Sequence, residues 1–184
     1  MAGAEVTRAF IALSLPEDVQ DTLAELGAGV PVGRPVPAEN LHLTLVFLGD
    51  VTQAELAALD EALQGLRAAP AELAFQGWET LGGRHPKVLA LAARGPEALQ
   101  AEVLRRVRAA GLTPERRRFR PHVTLTRLPR RLAQDQAARL AGFLGAAGWP
   151  DMAPVTVGQV TLFQSHLTPE GARYTPLAQY PLTG

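Results

Sequence analysis

Residues 40–45 read NLHLTL and residues 121–126 read PHVTLT, and these two stretches decide how the chain is organised. Each places a histidine and a threonine two positions apart in a largely apolar run. The chain has four histidines, and two of them, His42 and His122, lie in the same sequence frame 80 residues apart. The repeated frame predicts two related structural units that each supply one histidine.

Both stretches have the pattern of a half-buried β-strand, in which successive side chains point to opposite faces. In the first, Leu43 lies on one face, and His42 and Thr44 lie on the other. In the second, Val123 and Leu125 lie opposite three polar side chains: His122, Thr124 and Thr126. The apolar faces can pack on helices, and the two polar faces can then meet across a cleft.

The segments around the two stretches recur in the same order. Each half predicts a helix, a His-Thr strand, a second helix and two closing strands, over approximate halves 14–92 and 95–182. Alternation and turn signals predict the strand that holds His122 and six others, at 7–13, 41–48, 72–80, 87–92, 155–164 and 173–182. Helical spacing of apolar residues predicts helices near 14–27, 52–66, 96–110 and 132–144.

Two helix starts carry a capping-box pattern, in which a hydroxyl residue precedes a glutamate by three positions. Ser14 precedes Glu17 in this way, and Thr52 precedes Glu55. Together with the repeat, these elements predict an α+β fold, one domain over residues 1–184. We expect a bilobal, pseudo-two-fold arrangement, with an antiparallel sheet in each lobe, helices on the outer side and a cleft between the lobes.

Composition excludes several classes of site. The 184 residues include no cysteine, which excludes disulfides, cysteine zinc sites and a thiol nucleophile. Neither motif histidine has an acidic residue at metal-ligand spacing, and no phosphate-binding loop or dinucleotide fingerprint is present. We therefore expect no metal and no cofactor. The N-terminus lacks a signal-peptide pattern and no apolar run reaches membrane-spanning length, so we expect a protein of the cytoplasm with no membrane association. We also expect a monomer.

The net charge of zero conceals an uneven distribution. Residues 1–92 carry 5 basic and 12 acidic side chains, whereas residues 93–184 carry 13 basic and 6 acidic ones. Residues 105–131, called here the Arg-rich segment, hold ten arginines against a single acid, Glu115. Such a segment either attracts a phosphate-bearing partner or is simply a solvated surface.

The paired His-Thr faces match the requirements of phosphodiester cleavage by water. One group must take a proton from the water and another must give a proton to the leaving oxygen. Histidine titrates near neutrality, so one imidazole can be neutral while its partner is protonated. Threonine hydroxyls can donate to phosphate oxygens. A single His-x-Thr on a strand is usually structural, but two copies in matching places favour a catalytic site.

The sequence resembles the RNA 2′,3′-cyclic phosphodiesterases, also called 2′-5′ RNA ligases, of the two-histidine (2H) phosphoesterase superfamily. The resemblance covers nearly the whole chain. It is carried by RAFIALSLP at 8–16, PAENLHLTLVFLGDV at 37–51, GLTPERRRFRPHVTLTR at 111–127 and VTLFQSHLTPEGARYTPLAQYPL at 160–182. Each His-x-Thr is followed by leucine, and the family's motif is His-x-Thr-x.

The resemblance implies a hydrolase of RNA processing that opens a 2′,3′-cyclic phosphate to a 2′-phosphate. His42 corresponds to the proton donor for the departing 3′ oxygen, and His122 to the base that activates water. Thr44 and Thr124 correspond to residues that hold phosphate oxygens. Arg127 matches a family position near the phosphate, although strand alternation places it opposite His122, so it reaches the cleft only through a bend or strand end.

Two further positions bear on substrate contact. The resemblance makes Phe10 either a core residue or part of a wall facing the base, and Ala90 stands where family members often have tryptophan. Two alternative functions stay open from sequence. The protein could join tRNA halves as a 2′-5′ RNA ligase, since the same acid–base pair serves the reverse reaction, or bind RNA ends without catalysis. The expected partners in every case are RNAs with 2′,3′-cyclic phosphate ends or 2′,3′-cyclic nucleotides.

Overall fold

The computed structural model describes residues 6–148, 150–169 and 171–184, which form four helices and nine strands. The helices are α1 (Glu17–Ala28), α2 (Gln53–Gln64), α3 (Glu97–Ala109) and α4 (Gln134–Ala146). The strands are β1 (Val6–Ser14), β2 (Arg34–Pro35), β3 (His42–Thr52), β4 (Ala71–Leu81), β5 (Val88–Arg94), β6 (His122–Arg127), β7 (Val155–Val157), β8 (Gln159–Thr168) and β9 (Gly171–Pro181).

The described strands form a single antiparallel sheet in the order β7-β4-β5-β6-β3-β1-β8-β9, with β2 paired to β6 off this path. The two histidine strands, β3 and β6, are therefore neighbours at the middle of the sheet. The predicted α+β class with antiparallel pairing is confirmed.

The two sequence halves are interleaved in this sheet. The closing strands of the first half, β4 and β5, lie beside β6 of the second half. Of the closing strands of the second half, β8 lies beside β1, which pairs with β3, and β9 lies on the other side of β8. We propose that halves 14–92 and 95–182 are repeats that exchange their closing strands, and this exchange makes the chain one domain.

The two halves of the sheet join where β3 and β6 pair. Their pairing is centred on Leu43 and Val123, which are opposite each other and have no exposed surface. Both side chains belong to the main core. Because side chains alternate, the histidines and threonines that flank this pair project from the opposite face of the sheet.

A β-bulge interrupts alternation in β3 just after its His-x-Thr motif. Ile11 pairs with Val46 but Ala12 pairs with Thr44, so Leu45 is an extra residue on β3. A bulge of this kind lets two successive side chains share one face. Phe47 then returns to the face of the histidine, five positions after it.

The second histidine strand, β6, has a bulge at the same place. Leu89 of β5 pairs with Thr126 and Ala90 pairs with Thr124, so Leu125 is the extra residue. The predicted position of Thr126 on the face of the histidine is wrong, since Thr126 is 1% exposed and its hydroxyl donates to the Gly27 carbonyl. The same bulge supplies the bend that Arg127 requires to reach the polar face.

The apolar face of the sheet packs on the helices. Leu23 of α1, Leu59 of α2 and Val103 of α3 are fully buried in one continuous core. Leu140 of α4 and Leu89 belong to a smaller cluster beside it. Within the part of the chain that the structure describes, no helix is long and apolar enough to cross a membrane.

One of the two predicted helix caps is confirmed. The Thr52 hydroxyl accepts from the Glu55 amide, and the Glu55 carboxylate accepts from the Thr52 amide, which closes the capping box of α2. The predicted cap at Ser14 is wrong. Ser14 is the last residue of β1 and its hydroxyl bonds to that of Thr161 at 3.0 Å, because α1 begins later, after Pro16.

Candidate active site

Four side chains predicted from sequence surround the Leu43–Val123 pair on the polar face of the sheet. Since β3 and β6 run antiparallel and pair at those two residues, His42 lies next to Thr124, and Thr44 lies next to His122. Directly opposite Cβ atoms in such a pair are about 5 Å apart. The structure therefore brings the two His-x-Thr motifs into one compact group related by approximate two-fold symmetry.

Backbone carbonyls fix the orientation of both imidazoles. The Nδ1 atom of His42 is 2.7 Å from the Asn40 carbonyl oxygen, and that of His122 is 2.6 Å from the Arg120 carbonyl oxygen. A carbonyl oxygen can only accept, so Nδ1 carries the proton in each ring. The second nitrogen, Nε2, is then the one available for chemistry in both histidines.

The environment of His42 favours the neutral imidazole. Its ring centroid lies 4.9 Å from that of Phe10 and 5.1 Å from that of Tyr174, and its Nε2 is 3.1 Å from the Thr44 hydroxyl. Burial lowers the pKa of His42 to about 4, against the partial opposition of the Asn40 carbonyl. The positive charges of Arg127 and His122 lower this pKa further. In the free protein, His42 is uncharged at neutral pH.

The pKa of His122 is also lowered. Burial lowers the pKa of His122, the hydrogen bond to the Arg120 carbonyl opposes this, and the Arg120 charge adds a further lowering. Both histidines thus favour the neutral form in the free protein. An anion placed between them would favour the protonated forms.

Arg127 lies on the same face of the sheet as the two histidines. The bulge at Leu125 places it on the face of the histidines, and its charge is one cause of the lowered pKa of His42. One guanidinium nitrogen, Nη2, donates to the Tyr174 hydroxyl at 3.3 Å. The site therefore has a cationic side chain with several N–H donors beside its two imidazoles.

Part of the Arg-rich segment is engaged in local ion pairs. Arg105 and Arg106 both contact Glu102 at 2.7 Å, and Arg106 also donates to the Ala62 carbonyl. Arg117 pairs with Glu115 at 2.6 Å. In addition, Arg120 pairs with Glu79. Each of these arginines has an acidic partner, so the charge count of the segment overstates the positive field available to a ligand.

Phe10 and Ala90 are buried residues beside the His-Thr motifs. The other two histidines, His85 and His166, are exposed. Phe10 is 3% exposed and stacks on Phe163 at 5.2 Å, so it is a core residue whose ring also contacts His42. Ala90 is fully buried on β5, next to Thr124, and forms a small floor there.

Sequence reasoning missed two aromatic side chains at the site. Phe47 is 62% exposed on the histidine face, with its ring 6.2 Å from that of Phe10. Tyr174 of β9 contacts both His42 and Arg127. The sequence contains a signal for Phe47. It follows His42 by five positions, as Arg127 follows His122, so the two residues occupy equivalent places in the two motifs. Tyr174 has no local signal, because only the strand exchange brings β9 to this place.

Acidic and histidine side chains do not cluster for metal binding in the described ranges. Among residues 6–148, 150–169 and 171–184, no group of three or more His, Asp or Glu side chains is arranged to hold a metal ion. The groups at the centre of the site are two imidazoles, two hydroxyls and one guanidinium. These can exchange protons and donate hydrogen bonds to an anion.

Comparison with known sequences places the chain among relatives with a common name. A sequence model of the 2′-5′ RNA ligase superfamily matches residues 15–169. A relative from Methanothermobacter thermautotrophicus named RNA 2′,3′-cyclic phosphodiesterase is 32% identical over 188 residues, with 95% of this chain and 98% of the relative covered. A relative of the same name from Thermus thermophilus is 34% identical over 192 residues, with 96% and 91% covered.

Solved structures show the same fold. The crystal structure of Escherichia coli LigT complexed with 3′-AMP has a TM-score of 0.76 and 27% identity, covering 98% of this chain and 100% of that chain. The crystal structure of TT0787 from Thermus thermophilus has a TM-score of 0.71 and 28% identity, covering 96% of this chain and 98% of that chain.

A curled antiparallel sheet with a His-x-Thr motif on each of its two central strands defines the class of two-histidine phosphoesterases. Within that class, this chain belongs to the 2′-5′ RNA ligase superfamily. The resemblance stated from the sequence motifs is confirmed.

Proposed function

We propose that the protein hydrolyses RNA 2′,3′-cyclic phosphate ends to 2′-phosphomonoesters by metal-independent acid–base catalysis. The observation that carries this proposal is the pair of imidazoles with identical tautomers. His42 and His122 each tie Nδ1 to a backbone carbonyl two residues earlier and leave Nε2 for the reaction. The shared name of the curated relatives supports the same activity.

The phosphate of the substrate would occupy the space between the two motifs. A cyclic phosphodiester carries one negative charge, which matches the donors there: the hydroxyls of Thr44 and Thr124 and the guanidinium of Arg127. Donors fixed in place before the reaction stabilise the charge that builds up on the phosphate oxygens in the transition state. Escherichia coli LigT, a structural neighbour, has been solved in complex with phosphate and with 3′-AMP.

Proton transfer would follow the assignment implied by the family motif. His122 takes a proton from the attacking water, whose oxygen forms a bond to phosphorus. The bond from phosphorus to O3′ breaks, and protonated His42 gives its proton to that oxygen. The product is a 2′-phosphate and a free 3′-hydroxyl. His42 is neutral in the free protein, so the substrate anion has to raise its pKa and stabilise the imidazolium.

Phe47 supports an RNA end as the substrate. Its exposed ring lies on the same face as the histidines and next to the buried ring of Phe10. An exposed aromatic surface beside a phosphate site can stack on a nucleobase of any sequence.

The proposal also includes a monomer as the acting form, because the two motifs of one chain supply every group in the mechanism. It includes the cytoplasm as the place of action.

We expect turnover with excess EDTA present and no metal added, because imidazoles perform both proton transfers. The substrate is a short RNA with a 2′,3′-cyclic phosphate end, and mass spectrometry should show the addition of one water and a terminal 2′-phosphate. Loss of turnover in EDTA that is restored by a divalent ion would contradict the mechanism. Tight binding of the RNA end without turnover would identify an RNA-end-binding protein instead.

We also expect different pH profiles for kcat/KM and kcat. The first reports the free enzyme, in which burial lowers the pKa of both histidines below the usual 6.5. The singly protonated pair is therefore most populated at acidic pH, and the bell of kcat/KM should peak below pH 6.5. Bound phosphate anion raises both pKa values, so the bell of kcat should lie at higher pH. Coincident profiles would show that the substrate does not contact the imidazoles.

A further inference from the structure

Tyr174 is placed at the site by contacts from several directions. Its ring meets that of His42 edge-on at 5.1 Å and 90°, and that of Phe10 at 4.9 Å and 77°. Two residues earlier, the Ala172 carbonyl accepts from the Asn40 side chain at 2.9 Å. That bond ties β9 to the turn that leads into the strand of His42. The tyrosine ring is consequently one wall of the His42 environment.

The hydroxyl of Tyr174 faces the opposite motif. It accepts from Nη2 of Arg127, which lies on β6 with His122. The rest of the Arg127 side chain is exposed, and a long exposed arginine has many rotamers of similar energy. A hydrogen bond to a charged donor reduces that freedom and orients the guanidinium across the site.

We propose that Tyr174 is a positioning residue for phosphate binding, acting through Arg127. This inference rests on the proposed function and on Arg127 as a phosphate ligand. The phenol hydroxyl holds the guanidinium toward the space between the histidines, while the ring keeps water away from His42. The two roles belong to different atoms of one side chain, so substitutions can separate them.

The first test is Tyr174→Phe, which removes the hydroxyl and keeps the ring. We expect KM for a 2′,3′-cyclic nucleotide to rise about tenfold with kcat nearly unchanged, since Arg127 contacts the phosphate before and during the reaction. The same substitution in an Arg127→Gln background should have almost no further effect. Tyr180→Phe is the matched control, because Tyr180 is on the same strand and donates to Asp60 in the helix layer.

The second test is Tyr174→Ala, which also removes the ring. Greater solvation of His42 should raise its pKa toward 6.5, so the acid limb of kcat/KM moves to higher pH. Tyr174→Phe keeps the ring that buries His42, so it should move that limb much less, because burial is the largest cause of the lowered pKa. A purely structural tyrosine would lower thermal stability without these changes in KM or pH profile.

The results separate this inference from the function on which it rests. Absence of wild-type turnover on cyclic phosphates would overturn the proposed function. If the wild type is active, a Tyr174→Phe variant with KM within twofold of wild type overturns the positioning role. An equal rise in KM on Tyr174→Phe in the wild-type and Arg127→Gln backgrounds also overturns it. That result would show that the tyrosine does not act through the guanidinium.

Discussion

His42→Ala and His122→Ala should each lower kcat on a 2′,3′-cyclic phosphate by at least about 10²-fold, the usual size of one general acid or base contribution. The double variant should lose far less than the product of the two single losses, because the two imidazoles act as one unit. Steady-state kinetics on the three variants measures this. His85→Ala is the matched control, since His85 is exposed in a loop and should retain wild-type activity.

A leaving group that needs no proton separates the two roles. A p-nitrophenyl phosphodiester should restore turnover to the variant that lacks the acid and leave the variant without the base inactive. The family assignment predicts rescue of His42→Ala. Rescue of His122→Ala instead would reverse the assignment. Wild-type turnover by either single variant on the natural type of substrate would show that the paired strands are structural.

Gly33→Ala should reduce both stability and substrate binding, because Gly33 packs closely against the end of β6 that carries Arg127. Gly33 has φ +97°, and an added Cβ would lie 2.5 Å from the Arg127 carbonyl oxygen and 2.9 Å from Cγ2 of Thr126. The strained backbone and the clash together should cost about 3 kcal/mol or more in the free energy of unfolding. The next residue, Arg34, pairs with Arg127, so relief of the clash displaces the guanidinium and raises KM.

The control for this variant isolates backbone strain from the clash. Gly111 has φ +89° and no atom within 4 Å of an added Cβ, so Gly111→Ala carries strain alone, about 1–2 kcal/mol. Urea unfolding gives the two stability losses, and KM is measured for both variants. If Gly33→Ala and Gly111→Ala lose the same free energy of unfolding and KM is unchanged in Gly33→Ala, then β2 does not position Arg127.

Local pattern was enough to predict the α+β class and the four central side chains. His42, Thr44, His122 and Thr124 were predictable because period-two alternation and a repeated motif are properties of short stretches. Their meeting at one place followed from the assumption of symmetry, and the pairing of β3 with β6 fulfils it.

Alternation failed where the backbone leaves its regular period. A bulge has no reliable sequence signal, so strict alternation places both Thr126 and Phe47 on the wrong face. The exchange of closing strands could not be predicted either, because it depends on pairing between distant segments. Tyr174 entered the site through that exchange, and the Ser14 cap failed because β1 continues through Ser14 to pair with His42.

The two bulges place different side chains at equivalent positions of the two histidine strands, β3 and β6. A one-residue bulge at Leu45 and another at Leu125 bring the Phe47 ring and the Arg127 guanidinium to the histidine face, at equivalent positions on opposite sides of the site. The imidazole and hydroxyl at the centre are the same on both strands, whereas the side chains after the bulges, Phe47 and Arg127, differ. Position 47 is therefore where substrate preference can be redesigned without altering the imidazoles, hydroxyls and guanidinium of the proposed mechanism.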